Sequence, residues 1–157
     1  MIVRPAASGD VPDILRLIRA LAAYEREPDA VAATEADLHA RFFCATPRVF
    51  AFVAEDAGAV VGIAIWFLTF STWTGRHGLY LEDLFVEPAM RGRGIARQLF
   101  RALAREALAN DCARIDWAVL DWNEPARAAY RALGARHLSA WEPWRIDGDA
   151  LVALARD

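Results

Sequence analysis

Leu79-Tyr80-Leu81-Glu82-Asp83-Leu84-Phe85-Val86-Glu87-Pro88-Ala89-Met90-Arg91-Gly92-Arg93-Gly94-Ile95-Ala96 carries a strand into a glycine turn and the turn into a helix. The apolar and aromatic run from Gly78 to Val86 predicts a strand, and Pro88 ends it. From Ile95 the apolar residues Leu99, Leu103 and Ala107 recur on one face, with Arg97, Arg101 and Arg105 offset toward another, which predicts a helix to about Asn110. Between the two, Gly92 and Gly94 let backbone N–H groups come close to a ligand, and the helix N-terminus adds partial positive charge. Arg91 and Arg93 can add charge-assisted hydrogen bonds, so the turn suits a pyrophosphate. A Walker A loop would need Gly-Lys-Ser/Thr after its glycines. A dinucleotide fingerprint would need G-x-G-x-x-G in an early parallel unit, and neither is present. Without its flanks the turn reads equally as a plain Gly/Arg surface turn; strand before and helix after favour the anion site.

Upstream, Ile2 to Arg4 predicts a short strand, and Asp10, with Asp13 three positions on, predicts an N-cap for a helix to about Tyr24. Glu25-Arg26-Glu27-Pro28-Asp29 is a charged turn, and Thr34 with Asp37 starts a second helix carrying Leu38, Phe42 and Phe43. Val49 to Glu55, a turn at Asp56-Ala57-Gly58, and Val60 to Thr69 predict an antiparallel hairpin. Downstream come a strand at Arg114 to Val119, a helix from Glu124 to Leu133 with Pro125 in its first turn, a strand at Trp144 to Ile146 and a helix from Gly148 to Ala155. This order argues an α/β (α+β) architecture, a mixed, mainly antiparallel central sheet flanked by helices. No repeat or linker breaks the chain, so residues 1–157 read as a single domain.

Composition narrows the partners. A formal net charge of −3 gives no reason to expect nucleic acid or a polybasic membrane contact, and suits a cationic substrate. The longest apolar run, Ala57 to Phe70, is interrupted and too short for a membrane span, and no signal-peptide core follows Met1. Cys44 and Cys112 are distant and lack CxxC spacing, which predicts a reduced, cytoplasmic protein without a zinc site. His39, His77 and His137 share no metal-ligand spacing, so no metal is expected. Six Trp is a high count for this length, and core packing is the default for each.

The blocks Leu81 to Val86 and Arg91 to Ala96 resemble the coenzyme A signature R-x-x-G-x-G/A of the GNAT N-acyltransferase superfamily. Asp121-Trp122-Asn123-Glu124-Pro125-Ala126, then Ala129-Tyr130 and Leu133-Gly134-Ala135, together with Leu21-Ala22-Ala23-Tyr24-Glu25, are similar to its diamine branch, the spermidine/spermine and thialysine N-acetyltransferases. The likeness runs from Ile2 to about Ala155. It implies a GNAT fold, acetyl-CoA as co-substrate, transfer of acetyl to the primary amine of a small cationic acceptor, and a homodimer. The resemblance further implies that Leu84, Phe85 and Val86 pair with the pantetheine. Arg91, Gly92, Arg93, Gly94, Ile95, Ala96 and Arg97 would hold the diphosphate, and Asn123, Glu124, Pro125, Ala126 and Tyr130 would lie along the coenzyme.

An alkyl ammonium with a pKa near ~10.4 must lose a proton before it attacks a thioester. Glu82, beside the turn, can take that proton directly or through water, although a lone strand Glu reads more simply as a solvated carboxylate. Tyr130 can donate to the departing thiolate, although a lone helical Tyr would more simply pack. The resemblance places both in catalysis. It also places Tyr24, Glu25, Glu82, Asp116, Trp117, Ala118 and Glu142 where an acceptor amine binds. Trp141 and Pro143 depart from the branch's pattern around Glu142, leaving polyamine length preference open. Two alternatives stand beside the polyamine or diamine acceptor: an amino-acid type such as thialysine or lysine, or a non-catalytic acyl-CoA-binding module.

Overall fold

The alternating apolar stretches of the chain pair into one five-stranded sheet in chain order. Strands β1 (Ile2–Pro5), β2 (Phe50–Asp56), β3 (Ala59–Ser71) and β4 (Arg76–Val86) are antiparallel neighbours, and β5 (Ile115–Asp116) runs parallel to β4. Helices α1 (Val11–Tyr24), α2 (Glu35–Phe42), α3 (Ile95–Ala109), α4 (Glu124–Ala132) and α5 (Gly148–Leu154) complete the order. The computed structural model describes residues 1–156, in two compact units: residues 1–120 hold the sheet with α1 to α3, and α4 and α5 lie from Asp121 onward. The expected mixed, mainly antiparallel α/β architecture is what the chain adopts.

Within the first unit, the sheet separates two apolar sets. Val11, Ile14, Leu15 and Leu17 of α1 and Leu38 of α2 cluster with Ala51, Val53, Ile63, Ile65 and Phe85 from one face. Helix α3 packs on the sheet with Leu99 and Leu103 wholly buried. Strand alternation supplies both sets from the same strands, as a doubly covered sheet requires.

Between β3 and β4 that alternation is broken once. Ile65 pairs with Asp83 and Trp66 with Leu81, so Glu82 is an extra residue in β4, a β-bulge. Leu79 and Leu81 would otherwise share a face with Asp83 and Phe85. The bulge moves Asp83 and Phe85 to the α1 side, paired across from Ile65 and Ile63.

Three expectations are corrected. Trp144 to Ile146 forms no strand: Trp144 is 90% exposed and Ile146 is exposed too, so the apolar pattern there has no sheet to pair with among the described residues. The strand expected at Arg114 to Val119 shortens to Ile115–Asp116, because pairing with β4 reaches only Leu79 and Tyr80. Asp10 does stand before α1, but its carboxylate accepts from Ala7 N–H (2.7 Å) and from both Arg4 Nη atoms (2.7 and 2.9 Å) instead of capping the helix. Thr34 and Asp37 form the expected reciprocal cap of α2. The remaining boundaries differ by at most two residues, with β4 starting at Arg76. Among the described residues no helix is long and apolar enough to cross a membrane.

Helix α3 positions the glycine turn, so its docking is the fold's most useful test. Leu103→Ala, at a side chain 0% exposed, is expected to lower unfolding free energy by about 2–5 kcal/mol. Leu108→Ala on the same helix, 78% exposed, is expected to change it by less than about 0.5 kcal/mol. Urea denaturation of the two variants makes the comparison.

Candidate active site

After β4 the chain makes a tight turn at Pro88–Met90, and Gly92 (φ 76°) and Gly94 (φ 77°) take left-handed conformations that other residues rarely adopt. Gly94 is the N-cap of α3, and no side chain caps the helix there. Thr34 caps α2 and Asn123 caps α4, whereas α3, the longest helix, shares with α1 and α5 an N-terminus that no side chain caps. The first helical bond runs from Gln98 N–H to the Gly94 carbonyl, which leaves the N–H groups of Ile95, Ala96 and Arg97 before the ladder begins. A Cβ at Gly92 or Gly94 would meet nothing within 4 Å, so the turn opens outward. Buried Ile95 anchors it while Arg93 and Arg97 are exposed. Uncapped donors, two left-handed glycines and nearby guanidinium groups fit a diphosphate.

The neighbouring strand is open as well. Since β5 pairs with β4 only at Leu79 and Tyr80, the β5-side edge of β4 from Leu81 to Val86 has no strand partner among the described residues. That edge contains Leu84, Phe85 and Val86 and leads into the turn. Unpaired strand groups beside an uncapped helix offer an extended ligand amide partners at one end and phosphate partners at the other.

Arg91 is less free to hold phosphate than its sequence position suggests. Its Nε donates to the Val86 carbonyl (3.1 Å), and its Cζ lies 4.8 Å from the ring centre of Tyr24 and 5.5 Å from that of Phe85. Tyr24, the last residue of α1, thereby meets the first residue of the turn.

Carboxylates gather beside this contact. Asp83 is pushed up to about 6, first by burial and then by the charges of Glu82 and Glu25. Burial also raises the Glu25 carboxyl. Tyr80, across from Asp116 on β5, is raised by burial and by the charges of Glu82 and Asp116. Glu25, Glu82, Asp83 and Asp116 thus form an acidic row in which the charges of Glu25 and Glu82 act on Asp83, and those of Glu82 and Asp116 on Tyr80. Asp116 is held by Arg114 Nε (2.6 Å). Trp117 stands 5.2 Å from Phe100 of α3, centre to centre, and Ala118 is exposed beyond the strand. Asp83 is the residue sequence reasoning passed over. Its signal was the shift from apolar Leu79 and Leu81 to apolar Leu84 and Val86, which requires a bulge between them.

In the second unit, Asn123 is buried and its Oδ1 accepts from Ala126 N–H (3.4 Å), fixing the start of α4 with Pro125 in the first turn. Glu124 binds Arg131 (2.6 Å), and that contact lowers its carboxyl. Tyr130 is half-buried on the same helix, and Glu142 is exposed in the segment between α4 and α5. A separate apolar cavity of about 200 Å³, lined by Phe42, Phe50, Phe52, Trp66 and Glu106 among others, shares no residue with the turn or the acidic row.

The sequence profile of the acetyltransferase (GNAT) family matches residues 14–135. Thialysine N-epsilon-acetyltransferase of Bos taurus is 41% identical over 99% of this chain and 97% of its own length. Spermidine/spermine N(1)-acetyltransferase-like protein 1 of Homo sapiens is 36% identical over 92% of this chain, which spans 22% of that longer protein. Among solved structures, an integron cassette protein from the mobile metagenome of V. cholerae superposes with a TM-score of 0.83 at 28% identity, covering 99% of this chain and 98% of its own.

The crowding of Asp83 has a measurable signature. Its folded-state value, about 6, lies above the ordinary 3.8, so the associated stability is present below about pH 4 and lost as pH rises through 6. Asp83→Asn is therefore expected to stabilise the protein at pH 7.5 by about 1–2 kcal/mol, partial exposure discounting the full shift. The gain should vanish near pH 4 in thermal melts.

Proposed function

This chain belongs to the acetyltransferase (GNAT) family and is an N-acetyltransferase, and on that footing we propose that it acetylates the primary amine of a small acceptor bearing a second cationic group. The observation that carries the reading is the continuity of the open β4 edge with the uncapped α3 N-terminus, flanked by the row Glu25, Glu82, Asp83 and Asp116. Acetyl-CoA supplies the acyl group as a thioester. In this proposal the β4 edge at Leu84, Phe85 and Val86 binds its pantetheine amides. The turn from Arg91 to Ala96, with Arg97, binds its diphosphate, and Asn123 to Ala126 lie along it.

Glu82, on the bulge, takes the proton of the acceptor ammonium, directly or through water. Asp83 and Glu25 hold the rest of the acceptor's charge, joined by Tyr24, Asp116, Trp117, Ala118 and Glu142 as the acceptor-binding set. Tyr130 gives a proton to the departing thiolate. Glu25, raised by burial, and Asp83, raised by burial and by the charges of Glu82 and Glu25, gain most from a cation, since an ammonium restores their charged forms. This supports a diamine or polyamine. Thialysine or lysine as acceptor is favoured by the 41% identity to the bovine relative over nearly the whole chain.

We read residues 1–157 as one catalytic domain. The family profile supports this, because its match crosses the boundary between the two units. We also propose a cytoplasmic homodimer. Support comes from two unbridged cysteines and from the exposed apolar side chains Trp144, Ile146, Leu151, Val152 and Leu154 of the second unit. Light scattering at micromolar concentration should return twice the chain mass, and a strictly monomeric species would remove the dimer.

The decisive assay is thiol release from acetyl-CoA with spermidine, putrescine, thialysine and lysine. Faster turnover on the first two supports the diamine reading, and on the last two the amino-acid reading. Tyr130→Phe is expected to lose at least about 100-fold in kcat with coenzyme A affinity kept, in line with general acid catalysis. Unchanged turnover in that variant would remove Tyr130 from the mechanism.

A further inference from the structure

The contact between Arg91 and Tyr24 joins two parts of the site that bind different molecules. Arg91 stands at the head of the glycine turn, and its main-chain N–H closes the Pro88–Met90 turn on the Pro88 carbonyl (3.2 Å). Its side chain turns back to the Val86 carbonyl and lies against the faces of Tyr24 and Phe85. Tyr24 ends α1 and packs against the apolar cluster beneath that helix, and Glu25 follows it at once. Glu25 is one of the two carboxylates whose charge raises Asp83. The guanidinium therefore touches both the coenzyme side and the last turn of the acceptor helix.

We propose that Arg91 and Tyr24 couple the two ligands, so that coenzyme A at the glycine turn fixes the α1 end and raises affinity for the amine. This rests on the coenzyme and acceptor assignments made above. A guanidinium held over a ring keeps one plane and one position, so a phosphate drawing on its remaining N–H groups meets a donor already oriented. Charge pulled toward phosphate in turn fixes the guanidinium over Tyr24, and with it the start of the Glu25 turn. Coupling between two sites is reciprocal: the amine must tighten coenzyme A by the factor by which coenzyme A tightens the amine. A face contact of this kind corresponds to about three- to thirtyfold in affinity. Arg91 and Tyr24 act here as positioning residues.

The experiment is calorimetric and needs no turnover. Spermidine and thialysine are titrated into the full chain with and without saturating coenzyme A, which lacks the acetyl group and cannot react, and coenzyme A is titrated with and without each amine. The wild type should show about three- to thirtyfold mutual tightening. Tyr24→Leu should weaken coenzyme A binding with no amine present, an effect that a residue serving the amine alone would not produce. Tyr24→Phe, which keeps the ring face, should bind coenzyme A as the wild type does. In the Tyr24→Leu, Arg91→Gln cycle the two losses should be less than additive. Wild-type ligands that bind independently, or a fully additive cycle, overturn the coupling and leave the proposed reaction standing. A wild type that binds no coenzyme A overturns the assignment of the turn itself. The wild-type titrations decide the question even if Tyr24→Leu fails to fold.

Discussion

Opposite the Ile65–Trp66 step, β4 carries one residue more than β3, and the chemistry of both sheet faces follows from that insertion. With strict alternation, Asp83 and Phe85 would fall on the face of Leu79 and Leu81, placing a carboxyl in the apolar layer beneath α3. The bulge lets Leu79 and Leu81 face α3 while Phe85 joins the α1 cluster. Glu82 and Asp83 are left as adjacent acids at the strand's turning point, close enough that each charge opposes the other. Bulges occur where a strand must re-aim a side chain, and here Asp83 is brought within reach of the Glu25 charge at the end of α1.

A cation beside Asp83 would relieve that crowding. Asp83 is raised to about 6 by burial and by the charges of Glu82 and Glu25, so near neutrality negative charge is crowded at this point of the sheet. Asp10 with Arg4, Glu87 with Arg16, Asp116 with Arg114 and Glu124 with Arg131 are by contrast paired.

Much of this was legible in the sequence, in proportion to how local the signal is. The glycine turn, the α3 face of Leu99 and Leu103 and the Thr34–Asp37 cap depend on residues a few positions apart, and each sits where its spacing put it. The apolar letters of Trp144 and Ile146 suggested a strand, but a strand needs a neighbour, and pairing partners are nonlocal. The length of β5 failed to be legible for the same reason, since its end is set by where it diverges from β4. Asp83 lay inside the quoted motif without a role because its environment depends on a register shift and on Glu25, almost sixty residues away. Arg91 was read as a phosphate ligand from its place in the turn, while its contact with Tyr24 arises only once α1 is packed on the sheet.

The divergence of β4 and β5 ties these features together. Were β5 to continue alongside β4 past Tyr80, the backbone groups from Leu81 to Val86 would be satisfied within the sheet, and no extended ligand could use them. Parting the strands leaves unpaired donors and acceptors that a soluble protein tolerates only where water or a ligand answers them. The same is true of the α3 N-terminus, uncapped although Thr34 and Asn123 cap α2 and α4. Two unsatisfied backbone ends meet at one short turn, beside a buried carboxyl that neighbouring charges raise. The Arg91 side chain bridges them by occupying a carbonyl on one side and a ring on the other, which keeps the turn ordered while its glycines stay open.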